Sequence, residues 1–82
     1  MGKFFIWKVH AEFDVQGIKV KSIATGPAES IYKALMAAKS CYHRNFPTLD
    51  PGNVFIDFAE ADGQADENET QKGWRLAKID EV

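Results

Sequence analysis

The run KFFIWKVHAEF (residues 3–13), the tetrapeptide DVQG (14–17) and the run IKVKSIA (18–24) decide how this chain folds. In the first run Phe5, Trp7, Val9, Ala11 and Phe13 fall on one face of an extended strand. Phe4, Ile6, Lys8, His10 and Glu12 fall on the other. Asp14 to Gly17 carries a turn signal, because glycine takes a positive φ at no steric cost. In the next run Ile18 and Val20 share one face, and Lys19, Lys21 and Ile23 share the other. Two alternating runs joined by so short a turn predict an antiparallel hairpin.

Outward from the hairpin, Thr25-Gly26-Pro27 reads as a helix start, with Thr25 or Gly26 as cap, Pro27 at the first helical position and Glu29 in the first turn. Ala28, Ile31, Leu35, Ala38 and Tyr42 then recur as one apolar stripe, widened by Ala34 and Cys41. A helix over residues 27–44 would be about 27 Å long. Residues 46–53 form a loop with two prolines. Val54 to Glu60 is a third strand, apolar enough for a central position. Residues 61–72 hold no large apolar side chain and predict a long polar loop, and Trp74 to Ile79 is a fourth strand.

These elements predict a single α+β domain over residues 1–82. Its order is ββ-α-ββ: a four-stranded, mainly antiparallel sheet with one helix packed on one face. Phe5, Trp7, Val9, Phe13, Ile18, Val20, Val54, Ile56, Phe58, Trp74 and Leu76 are expected to meet Ile31, Leu35 and Tyr42 from the helix. Eighty-two residues leave no room for two cores.

Composition narrows the function classes. The one cysteine, Cys41, excludes an internal disulfide. No secretory segment and no apolar stretch of about 20 residues is present, so a cytoplasmic protein without membrane contact is expected. The net charge of −2 divides into +4 over residues 1–44 and −6 over residues 45–82.

Chemistry-bearing constellations are sparse. Cys41 and His43 are two apart on a helix and diverge by about 200°, so a metal site is not expected and Cys41 reads as a small core thiol. Asp57 and Glu60, three apart on a strand, point to opposite faces and make no acid/base pair. The glycines are scattered turn residues rather than a phosphate-binding loop. No catalytic residue, metal or cofactor is assigned, and an enzyme is not expected.

Two features remain. The first is the sheet face away from the helix, which would carry Phe4, Ile6, Lys8, His10, Lys19, Lys21, Ile23, Phe55, Asp57, Arg75, Ala77 and Ile79. That is more apolar than plain solvent exposure calls for. Three explanations stand open: a bulged strand or folded-over loop that covers part of it, a homodimer or protein-partner surface, or a nucleic-acid platform. On such a platform Phe4 and Phe55 would stack on bases while Lys8, Lys19, Lys21 and Arg75 meet phosphates. The acidic balance weighs against the platform. The second feature is the carboxylate series Asp57, Glu60, Asp62, Asp66, Glu67 and Glu69, with no Lys or Arg between Arg44 and Lys72. Such a series is either a solvated loop or a surface that occupies a basic groove on a partner.

In size, acidity and element order the chain resembles small inhibitor proteins encoded by phages and mobile elements, the anti-CRISPR type among them. The Phe4–Ala24 hairpin, the Pro27–Arg44 helix and the acidic Asp57–Glu69 stretch carry that resemblance. It implies a non-enzymatic protein that binds a nucleic-acid-handling defence complex and blocks its groove, and it transfers no functional residue.

Overall fold

The computed structural model describes residues 3–81. Strand β1 (Phe5–Val15) and strand β2 (Ile18–Ala28) form a hairpin paired from Val15–Ile18 to Phe5–Ala28 without a break. The turn is the dipeptide Gln16-Gly17, with φ of 51° and 83°. Two successive left-handed residues give the turn a twist that matches the strands it joins. The hairpin supplies the centre of the sheet. Strand β3 (Val54–Gln64) adds to β1, and strand β4 (Arg75–Glu81) adds to β2, both antiparallel, giving the order β3-β1-β2-β4.

The fold is thus α+β, with four antiparallel strands in one open sheet and one main helix, α1 (Ile31–Asn45). The central position expected for the third strand is not observed. β3 lies at an edge, where Asp57, Glu60 and Asp62 keep their water and discourage further pairing.

Helix α1 covers one face through small residues. Ala34, Ala38 and Cys41 are fully buried and pack with Val9, Ala11, Val20, Ala24 and Ala28. Short side chains on both elements let the helix lie close to the strands. Tyr42 anchors the far end of the contact. Its ring is buried 5.1 Å from that of Phe13, and its hydroxyl donates to the carbonyl of Val9 at 3.0 Å and lies 3.4 Å from that of Ser22. One phenol therefore ties the helix to both central strands. Burial pushes its pKa up from 10.0 to about 12, partly offset by hydrogen bonding at Ala24 and Ser22.

The helix begins later than its sequence suggests. Residues 25–28 continue β2, and the N-cap is Ser30, whose hydroxyl accepts from the backbone N–H of Lys33 at 3.3 Å. Pro27 is tolerated in the strand because β4 pairs only as far as Thr25, so no ladder bond is lost on that side. Two indoles satisfy the carbonyls there: Trp74 Nε1 donates to Pro27 at 2.8 Å and Trp7 Nε1 to Ala28 at 3.0 Å. Gly26 is required by the same arrangement, since the Trp74 ring lies flat against it. Glu29 consequently precedes the helix, where it pairs with Lys33 at 3.2 Å, and Ile31 in the first turn is 51% exposed.

Of the three register shifts in the sheet, the two near its middle change which side chains face the helix. The β1–β3 register shifts between His10 and Ala11, so Asp57 is the extra residue and Phe58 stands opposite His10 on the open face. Phe58 is therefore not a core residue. The β2–β4 register shifts between Ile23 and Ala24, so Ala77 is extra and Ile79 lies opposite Ser22 on the helix side.

The segment 61–72 is not a loop. β3 runs on to Gln64, and a two-turn helix, α2 (Glu67–Lys72), carries the chain across the end of the sheet to β4.

Two outcomes test this packing. A Gly26→Ala methyl would overlap the Trp74 ring, so the variant should lose about 1–3 kcal/mol in urea unfolding; wild-type stability would show that Trp74 does not rest there. Tyr42→Phe should lose about 1 kcal/mol at pH 7. With the folded-state pKa raised, the Tyr42 contribution to wild-type stability is fully present below pH 10 and is lost from there to about 12, by about 2–3 kcal/mol. The phenylalanine variant escapes that loss, so the wild-type advantage should shrink and then reverse. Parallel stability curves through pH 12 would contradict the buried phenol.

Candidate functional site

The three ladders align the open face into rows that run straight across the sheet. One row is Phe55, Glu12, Lys21 and Asp80. The next is Phe58, His10, Ile23 and Lys78. The third is Glu60, Lys8, Thr25 and Arg75. Asp14 and Lys19 lie opposite one another beyond the first row, toward the hairpin turn. Each row has its own character: mostly charged, then aromatic and apolar, then mostly charged.

The middle row holds the one stacked ring pair on this face among the described residues. The Phe58 and His10 rings lie 4.0 Å apart at an interplanar angle of 15°. Beside them is a cleft of about 210 Å³ whose lining includes His10, Ile23, Asp57, Phe58, Lys78 and Asp80. The bulge places Asp57 in this cleft. Asp57 and Glu60 therefore share the open face rather than opposing faces, although no acid/base geometry joins them. Phe55 and Phe58 are 64% and 52% exposed, while Ile6 and Ile23 on the inner strands are only half-buried. The apolar patch expected from Phe4, Ile6, Ile23, Phe55 and Ile79 is thus redrawn: Ile79 leaves it and Phe58 enters.

The carboxylates form a rim instead of a loop. Asp57, Glu60 and Asp62 stand along the edge strand β3, and Asp66, Glu67 and Glu69 continue around the end of the sheet on α2 and its cap. Most have internal duties. Asp62 is 3.4 Å from Lys8, and Glu60 is 3.4 Å from His10 Nε2. Asp66 caps α2 by accepting from the Glu69 N–H at 2.9 Å, and Glu69 reaches Lys72 at 3.2 Å and Arg75 at 3.7 Å. Among the described residues Asp57 and Glu67 make no ion pair.

These pairings bear on the cations as well. Of the four expected to meet phosphates, Lys8 and Arg75 already face carboxylates, while Lys19 and Lys21 are exposed near the hairpin turn. Phe4 lies just before β1, separate from the Phe55–Phe58 pair, with its carbonyl accepting from Ala65 at 2.8 Å. Cys41 is a buried free thiol. Among the described residues no group of three or more His, Cys, Asp or Glu could hold a metal ion, and no helix is long and apolar enough to cross a membrane.

Sequence reasoning missed Phe58, Lys78 and Asp80 on the open face, because each lies beyond a bulge. It also missed α2, whose Asp66-Glu67-Asn68-Glu69 start is a legible capping signal. Asp66→Ala should release α2, raising amide exchange over residues 67–72 at a cost of about 1 kcal/mol, while Asp66→Asn should retain protection. Equal exchange in both variants would remove the cap from the account. No family model matches this chain, and no curated protein and no solved structure matches it.

Proposed function

We propose that this chain is a non-enzymatic protein-binding module whose acidic rim occupies a basic surface of a partner. The observation that carries the proposal is the course of the rim. Its carboxylates follow an edge strand whose outer backbone groups have no strand partner among the described residues, and then turn onto a capped helix. Backbone groups and carboxylates are thus offered together along one side, the combination that recognises an extended, positively charged surface. A protein groove that ordinarily holds nucleic acid has that chemistry. The resemblance to phage-encoded inhibitors of the anti-CRISPR type supports the same partner class, a nucleic-acid-handling defence complex. Direct binding of nucleic acid has less support, since carboxylates already face Lys8 and Arg75 on the open face.

The triple variant Asp62→Asn, Asp66→Asn, Glu67→Gln removes rim charge and keeps the α2 cap. Affinity capture from host lysate with quantitative mass spectrometry should recover a protein with the wild type and lose it with the variant. Raising the salt should weaken the wild-type capture in the same direction, as for exposed charges. Equal recovery by both forms would remove the rim from the function.

A further inference from the structure

We infer that the open sheet face is closed by a second copy of this chain, stacked face to face about a two-fold axis that runs parallel to the strands. The charge order of the three rows points to this arrangement. Each row begins with an acidic or aromatic residue on β3 and, Asp80 apart, ends with a basic one on β4; Lys8 and Ile23 on the inner strands depart from that order. An axis parallel to the strands, midway between β1 and β2, lays β3 of one copy over β4 of the other and β1 over β2. Every row then meets a reversed copy of itself.

In that arrangement Glu60 faces Arg75 of the second copy, and Glu12 faces its Lys21. Phe58 faces Lys78, where an ammonium over a ring face is favourable. His10 and Ile23 meet across the centre. Symmetry makes each contact twice. The open-face cleft of about 210 Å³ lies between Phe58 and Lys78 across the axis, so it faces the same cleft of the second copy. Phe55 against Asp80 and Lys8 against Thr25 gain nothing. The other face-to-face axis, across the strands through the middle row, lays each strand on its own copy, sets Lys78 against Lys78 and Asp57 against Asp57, and leaves Glu60 against Phe55. Charge selects between the two.

Size makes this a reversible pair at the weaker end of specific interfaces. Four strands about 4.8 Å apart, each of seven to eleven residues, present a face of about 450–700 Å². Stable interfaces take about 800 Å² from each partner, so the whole face is used, Asp57 and Glu60 included, while Asp66, Glu67 and Glu69 stay outside it. The axis also keeps both α2 helices at the same end of the pair. This pairing does not depend on what the rim binds.

The test uses charge reversal and mixing, read by sedimentation equilibrium and far-ultraviolet circular dichroism. Wild type should associate reversibly to a dimer. Glu60→Arg sets a new guanidinium against Arg75 twice, and Arg75→Glu sets two carboxylates together twice. Each variant alone should dimerise about tenfold or more weakly while remaining folded. An equimolar mixture should recover the wild-type association, because both crossed contacts are then complementary. A chain that merely folds poorly is not rescued by mixing. The inference is overturned by wild type that stays monomeric at about 1 mM or by a mixture no tighter than its components. Low-salt binding of a labelled single-stranded oligonucleotide that Phe58→Ala abolishes would assign the face to nucleic acid instead.

Discussion

One helix of fifteen residues cannot cover both faces of a four-stranded sheet, and the rest of this structure follows from that constraint. The covered face is closed by alanines, so helix and strands approach closely, and by Tyr42, which converts the approach into hydrogen bonding with both central strands. The covered core is consequently thin. Its largest fully buried side chains are Tyr42 and Phe13. A domain whose helix closes only one sheet face has reason to use the other one.

The uncovered face shows how bulges shape such a surface. Without the extra residue at Asp57, Phe58 would point at the helix and compete with Ile56 for space in the core. The bulge rotates it outward, stacks it on His10, and brings Asp57 into the cleft. The extra residue at Ala77 does the same on the opposite edge, bringing Lys78 and Asp80 to the open face while Ile79 turns toward the helix side. These two irregularities sit at about the same height, and a third, between Phe5 and Trp7, lies at the far end of the sheet. Together the first two produce the aromatic row between two charged rows.

Much of this was legible in the residues. The alternation from Phe5 to Phe13 identified the buried face of β1, and Gly17 marked the turn. Pro27 misled because its fixed φ suits a helix start as well as a strand end; what decides is Trp74, distant in sequence, lying on Gly26 and bonding to the Pro27 carbonyl. Bulges were illegible for a different reason. The segment from Val54 to Phe58 has apolar residues at both parities, so either phase buries something, and the ladder with β1 makes the choice. The edge position of β3 did have a signal, since three carboxylates in one strand suit an outer strand better than an inner one.

The most direct measurement is an isotope-filtered nuclear Overhauser experiment on an equal mixture of labelled and unlabelled chains, which reports only contacts between copies. The account predicts cross-peaks from the Phe58 ring to the Lys78 methylenes of the other copy, and from His10 to its Ile23. Cross-peaks that join β3 of one copy to β3 of the other, or that come from Tyr32 and Met36 on the outer side of α1, would contradict it.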